Sequence, residues 1–142
     1  MTPVEMAEVV AGIARDGIAS GAIRCGLVLD EELGQDAEVD GLAIRVTVVD
    51  FEPTTITHGA VGNRLIHHRG RVVVQAFAAK SLGDGVQRSR QLAQDARDLY
   101  HASTVGADPI TFGPAAIQRI PSGSDPWIQH NASIPFAYHE RA

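Results

Sequence analysis

The chain has 142 residues, of which 44% are hydrophobic and 20% are charged. This is the size and composition of one globular domain, which can bury roughly two thirds of its unfolded surface. The formal net charge of −5 argues against a general DNA-coating protein, because phosphate neutralisation requires clustered basic residues in excess of acids. No apolar run reaches the roughly 18 to 20 residues of a bilayer span and no signal peptide is evident, so we expect a chain that is neither membrane-spanning nor secreted.

The N-terminal half predicts one helix followed by strands. Thr2-Pro3-Val4-Glu5 combines a capping threonine, a first-turn proline and a capping-box glutamate, and apolar residues then recur at helical spacing as far as Gly17. A short strand should lead into an acidic loop at residues 30–40, and Leu42 to Val49 alternate as a half-buried strand does. Residues 51–64 carry a proline, two glycines and three threonines, which predicts a long loop or an extended hairpin arm.

The C-terminal half predicts a central strand, a long helix and further strands. Residues 65–79 are apolar on both faces, which indicates a strand in the middle of a sheet or a second buried surface. Asp84 is placed to cap the following helix. Short strands at 110–120 are interrupted by Pro114, which restricts them to a sheet edge, and a terminal strand begins near Trp127.

Runs of strands broken by one long helix indicate the α+β class. We therefore predict a single domain over residues 1–142, built as a mostly antiparallel mixed sheet of about five strands with two helices packed on one face. The lone cysteine, Cys25, has no disulfide partner and is expected to be a buried apolar residue.

No pattern of catalytic or ligand-binding residues is found. His67 and His68 are adjacent, and neighbouring strand residues point to opposite faces, so the two cannot hold one ion together without a bulge. The glycine-rich phosphate loops, the nucleophile elbow and a facing pair of carboxylates are all missing. We predict no catalytic, cofactor-binding or metal-binding residues and no enzymatic activity. A small metal-dependent enzyme that uses its histidines is the alternative, which equimolar zinc in the purified protein would favour.

Two stretches resemble a known family when they are taken together. The first is Arg69-Gly-Arg-Val-Val-Val-Gln-Ala-Phe77, followed by Gly83-Asp-Gly85 and the helical Leu92-Ala-Gln-Asp-Ala96. The second is Gly123-Ser-Asp-Pro-Trp127, leading to Asn131-Ala-Ser-Ile-Pro-Phe-Ala-Tyr138. Their order and spacing resemble the small tail-terminator, or tail-completion, proteins of siphophages. The resemblance covers about the C-terminal half of the chain. The P-N-x-P-F-like segment that the family often carries has no counterpart between Leu29 and Asp40.

The resemblance implies a structural role without catalytic residues. Members of this family form a hexameric ring that caps the tail tube, ends tube polymerisation and provides the joining surface for the head connector. The implied partners are further copies of the chain, the tail-tube protein and the head-tail connector proteins, while DNA passes through the lumen without specific binding. The implied location is the head-proximal end of the virion tail, after assembly in the host cytoplasm. Another connector, neck or tail component, or a nucleic-acid-binding module, is the alternative.

Candidate interface residues follow from loop character and side-chain chemistry. Apolar residues in the polar, glycine-bearing segment 54–64 should reach a neighbouring subunit or the tube, and arginine forks suit bidentate pairing with a neighbour's carboxylate. Trp127 is either a core plug or an interface anchor. The candidate residues are Ile56, Thr57, His58, Val61, Asn63, Arg64, Arg69, Arg71, Arg88 and Trp127.

Overall fold

The computed structural model describes residues 3–28, 40–55, 64–103, 110–121 and 123–141. These residues form two α-helices, one 3-10 turn and six strands, which confirms the predicted α+β class. In chain order the elements are α1 (Pro3–Ala19), β1 (Gly26–Val28), β2 (Leu42–Thr55), β3 (Leu65–Ala79), the 3-10 turn (Lys80–Leu82), α2 (Gly85–Ala102), β4 (Thr111–Phe112), β5 (Ala116–Ile120) and β6 (Trp127–Arg141).

The strands form one mixed sheet in the order β1-β2-β3-β6-β4, and β5 also pairs with β6. Only β1 and β2 are parallel among the described pairs. β3 and β6 pair along their whole length, from Leu65 opposite Arg141 to Ala79 opposite Trp127, so the predicted central position of β3 is confirmed. The described part of the sheet has six strands, where about five were predicted, because the segment around Pro114 supplies two short edge strands.

The hydrophobic core lies between the sheet and the two helices. We call the covered side of the sheet the helix face and the opposite side the open face. Alternate residues of the three long strands point to the helix face, as the period of a strand requires, and the Tyr100 hydroxyl of α2 donates a 2.7 Å hydrogen bond to the Val10 carbonyl of α1. The core includes Met6, Val10, Ile44, Val46, Val72, Val74, Ala76, Leu92, Ala96, Tyr100, Ala132 and Ile134.

β2 extends further than the sequence predicted. Residues 51–55 were expected in a loop, but they continue the strand to Thr55 and pair with β3, with Pro53 opposite His68. A β-bulge lies between Val49 and Glu52, and pairing with β3 resumes after it, so the strand continues through residues that are typical of a turn. The missing N–H of Pro53 is tolerated because no described strand pairs with the outer edge of β2 there.

Two local predictions have different outcomes. Cys25 is buried as expected, and burial raises the pKa of its thiol to about 12, so it is an inert apolar residue. Asp84 occupies the N-cap position of α2, as predicted, but its side chain makes no capping hydrogen bond. Its carboxylate instead accepts a 3.1 Å hydrogen bond from Arg88 Nε, one helical turn further on.

Candidate interface surfaces

Arg69 and Arg71 lie two residues apart on β3 and point to the open face. Arg69 Nη2 is 3.3 Å from Glu52 Oε2, and the Nε of Arg71 donates a 2.9 Å hydrogen bond to Asp50 Oδ2. Each arginine predicted to pair with a neighbour's carboxylate therefore already has a carboxylate partner on β2. The side chains of both arginines are more than half exposed, and exposed pairs of this kind are worth little in stability. Both guanidinium groups can consequently exchange their partners for those of another molecule.

The β2 bulge positions one of these ion pairs. Asp50 has a φ of 53°, in the left-handed region that aspartate tolerates better than most residues. The bulge turns the Asp50 side chain to the same face as Arg71, which also contacts Ser133 Oγ of β6 at 3.4 Å. Three strands are thus linked through one arginine on the open face.

A cleft of about 560 Å³ lies beside these ion pairs on the open face. Charged side chains from β2 and β3 form one wall, and small or apolar residues from the β4 region and β6 complete it. The lining includes Asp50, Glu52, Arg69, Arg71, Pro135 and Ala137. An apolar patch edged by charges of both signs is typical of a protein contact surface.

Two histidines meet at one end of this surface. His67 of β3 and His139 of β6 are register partners, and His67 Nδ1 is 3.1 Å from His139 Nε2. The predicted separation of His67 from His68 is confirmed, because His68 points to the helix face and is 7% exposed. The partnership with His139 could not be foreseen, since the two residues are 72 positions apart.

The other sequence candidates lie apart from Arg69 and Arg71. Arg88 is on α2, across the sheet from the open face, and pairs with Asp84. Arg64 is half-buried immediately before β3, and Trp127 is half-buried at the start of β6. The Trp127 ring packs edge-on against Phe77 with centroids 6.5 Å apart, so it belongs to the open face and not to the core under the helices. Ile56, Thr57, His58, Val61 and Asn63 lie outside the described residues.

The outer edge of β2 is a surface that sequence reasoning missed. β1 pairs only with residues 43–45, and no described strand pairs with β2 beyond them. A groove of about 440 Å³ runs between this edge and α1. Val4 on the groove wall is 69% exposed, the only exposed large hydrophobic side chain among the described residues. Free strand edges beside apolar groups are surfaces on which other chains can pair.

A buried polar pair was also missed. Ser89 of α2 and His130 of β6 are 0% and 2% exposed, with Ser89 Oγ 2.9 Å from His130 Nδ1. The Ser89 hydroxyl donates its hydrogen to the Ala76 carbonyl at 2.9 Å. Burial, and after it the charges of Arg90 and Arg119, lower the pKa of His130. The signal in the sequence was a serine interrupting the apolar stripe of α2.

The described residues contain neither a candidate metal cluster nor a candidate membrane span. No three or more histidine, cysteine, aspartate or glutamate side chains converge there as they would around a metal ion. None of the described helices is long and apolar enough to cross a membrane.

Comparisons with known proteins define the fold and nothing beyond it. No protein-family model and no curated protein sequence matches the chain. Among solved structures, one match has a TM-score of 0.60 at 16% sequence identity, covering 92% of this chain and 94% of the other. The name of that protein describes no function. A match at this identity shows a shared architecture, and function has to be argued from the surfaces.

Proposed function

We propose that this chain is a subunit of a ring, built from six copies, that caps a phage tail tube, ends its polymerisation and presents the joining surface for the head connector. It acts by binding other proteins and carries out no reaction. In this proposal the chain resides at the head-proximal end of the virion tail, and DNA passes through the ring without specific contacts.

The observation that carries the proposal is how the two stretches of family resemblance meet in the sheet. The Arg69–Phe77 part of the first lies on β3 and the Asn131–Tyr138 part of the second lies on β6. These two parts pair directly, from Arg69 opposite Ala137 to Gln75 opposite Asn131. Gly70 of the first stretch is opposite Phe136 of the second. A Cβ atom at residue 70 would lie 2.8 Å from Phe136 Cζ, closer than packed atoms allow. The resemblance therefore involves residues that depend on each other in space.

The surfaces of the domain support a ring. A closed ring needs two different contact surfaces on each subunit, because every subunit meets its neighbours head to tail. The free edge of β2 with its α1 groove lies at one side of the sheet, and the short strands β4 and β5 form the other side. The open face, with its exchangeable ion pairs and Trp127, is a third surface available to the tube or the connector.

The buried chemistry of the domain supports a structural role. Ser89 and His130 are the residue types of a nucleophile and its base, but the Ser89 hydrogen is already donated to a backbone carbonyl and the side chain is fully buried. A nucleophile must reach its substrate and transfer its proton to the base. This pair can do neither in the observed arrangement.

Gene deletion and interface variants test the proposal. Removing the gene should give tails of uncontrolled length that carry no heads. A double variant, Arg69→Glu with Arg71→Glu, should reproduce that defect while the purified protein stays folded, because both side chains are exposed. Arg24→Glu, at an exposed arginine before β1, is the matched control and should complement the deletion. Normal tail length and head attachment without the gene would refute the proposal.

A further inference from the structure

A second cleft, of about 410 Å³, lies on the other side of the molecule between α2 and β5. Arg90, Gln94 and Arg97 project from α2 at helical spacing, and Arg119 projects from β5. Ala115 and Ile117 complete the wall, and the buried His130 also lines the cleft. None of its described lining residues is acidic, although the chain as a whole has a net charge of −5.

The positive charge in this cleft is largely uncompensated. Arg97 is paired with Asp98, with Nε 3.1 Å from Oδ1. Arg90 and Arg119 form no ion pair with any described residue, and both are exposed. Two unpaired guanidinium groups facing one concave site give a charge of +2, which matches a dianion.

The protonation state of His130 follows from its hydrogen bonds. Ser89 has one hydroxyl hydrogen, which it donates to Ala76 O. In the hydrogen bond between Ser89 Oγ and His130 Nδ1, the donor must then be an N–H on Nδ1, and the serine oxygen accepts. A neutral imidazole with its proton on Nδ1 has a lone pair on Nε2. Nε2 is buried and has no hydrogen-bond partner among the described residues, and a buried acceptor without a donor is costly.

Together these groups define the ligand. We propose that the cleft binds hydrogen phosphate: the guanidinium groups of Arg90 and Arg119 bind its charged oxygens, and its own hydroxyl donates to Nε2 of His130. Among the described residues, the charged and polar groups beside His130 or in the same cleft are Ser89, Arg90, Gln94 and Arg97 from α2 and Arg119 from β5, and none of them is hydrogen-bonded to that nitrogen. Inorganic phosphate and the singly protonated form of a phosphate monoester both carry the required hydroxyl. This site is independent of the proposed ring function.

Sulfate and phosphodiesters are the informative comparisons. Sulfate has the shape and the charge of hydrogen phosphate but no hydrogen at neutral pH, so it would leave Nε2 unsatisfied. A binding site built around a ligand hydroxyl discriminates strongly against an analogue that lacks one. A phosphodiester lacks both the hydroxyl and the second charge, so the nucleic-acid backbone is a poor ligand for the same cleft.

Isothermal titration at pH 7.5 and constant ionic strength tests the proposal, with potassium phosphate, potassium sulfate and a phosphate monoester as titrants. We expect saturable phosphate binding, with sulfate weaker by at least about tenfold, the factor that corresponds to one satisfied buried acceptor. A monoester that binds with proton uptake would show that the site also accepts esterified phosphate, whereas failure of the monoester alone would restrict the site to inorganic phosphate.

Exposed substitutions and one spectroscopic signal complete the test. Arg119→Gln and Arg90→Gln should each weaken phosphate binding by about tenfold, the loss of one charge-assisted contact, whereas Arg24→Gln should leave it unchanged. The ¹⁵N resonance of His130 Nε2 should be that of an unprotonated nitrogen and should shift on phosphate addition. Each of four results would overturn the proposal. The protein could bind sulfate as tightly as phosphate, or show no saturable phosphate binding. Arg24→Gln could weaken phosphate binding as much as the cleft variants do, or Nε2 of the free protein could carry a proton.

Discussion

Gly70 and Phe136 face each other across β3 and β6, and the Phe136 ring occupies the space that a side chain at residue 70 would need. An added Cβ would stand 2.8 Å from Phe136 Cζ and 3.0 Å from the Val49 carbonyl oxygen. Because residue 70 has no side chain, the large Phe136 ring can pack directly against the backbone of β3. Phe136 is 3% exposed and packs against Phe51 with centroids 5.9 Å apart.

Gly70→Ala should therefore destabilise the fold. Overpacking of a filled core site costs about 1 to 3 kcal/mol, and chemical denaturation would measure the change in the free energy of unfolding. Gly12→Ala is the control, because no described residue outside the adjoining helix backbone lies within 4 Å of an added Cβ at Gly12 in α1. This variant should be more stable by about 0.5 to 1 kcal/mol. Equal stability of the Gly70→Ala variant and the parent would contradict this packing.

Acid should weaken the fold through two buried histidines. Burial lowers the pKa of His68 and of His130 below 6.5. At His68 the nearby Glu140 raises the pKa, but the effect of burial is larger. Between the folded and unfolded pKa values the unfolded chain binds more protons, so stability is fully present above about pH 6.5 and falls as the pH is lowered further. Each histidine can contribute a slope of up to about 1.4 kcal/mol per pH unit.

His68→Phe separates this effect from other titrations. His68 stacks on Tyr138 with ring centroids 4.7 Å apart and lies 5.4 Å from the Phe51 centroid, so a phenyl ring suits the site. The free energy of unfolding of this variant, measured from pH 7.5 to pH 5, should fall less steeply than that of the parent. Identical slopes would show that His68 is not the titrating group.

The segment between β2 and β3 is predicted to serve assembly. Because Thr54 and Thr55 are paired in β2, the informative deletion is confined to residues 56–63, which contain the apolar Ile56 and Val61. A short turn in their place should leave the circular dichroism spectrum and the unfolding midpoint unchanged while tail completion is lost. Loss of soluble, folded protein would assign the segment to the core.

Duplex DNA should not bind measurably at physiological salt. DNA must slide through a tail ring, and we expect acids of the Asp30–Asp40 segment or of α2 to contribute a negative field around it. An equilibrium titration of labelled duplex at about 0.15 M salt tests this, and a dissociation constant tighter than about 10⁻⁶ M, beyond the usual non-specific range, would favour a nucleic-acid-binding module.

The sequence predicts the helices and long strands because each carries its own period. The β3 pattern gave both its central position and the residues on each face, since Val72, Val74 and Ala76 are all fully buried. The length of β2 could not be predicted, because Pro53 is typical of a loop and the bulge at Asp50 is not visible in the sequence. Pairing with β3 is what keeps these residues in the strand.

The sites were less predictable than the fold because they depend on distant pairings. Ser89 and His130 are 41 residues apart in the chain. Arg90 and Arg119 line the same cleft only because α2 packs beside β5. Residue type alone predicts both Arg69 and Arg88 as interface arginines, yet they lie on opposite sides of the sheet. Side-chain chemistry can be inferred from a sequence, but the juxtaposition of side chains requires the topology.

Electron microscopy of tube ends tests the central claim most directly. The purified chain would be mixed with the tail-tube protein of the same particle, during and after tube polymerisation. The account predicts a six-fold ring at one end of each tube and an arrest of growth when the chain is added early. The Arg69→Glu and Arg71→Glu double variant should leave the ends bare, and Arg24→Glu should cap them normally. Bare ends and unchanged tube lengths with the parent protein would contradict the account.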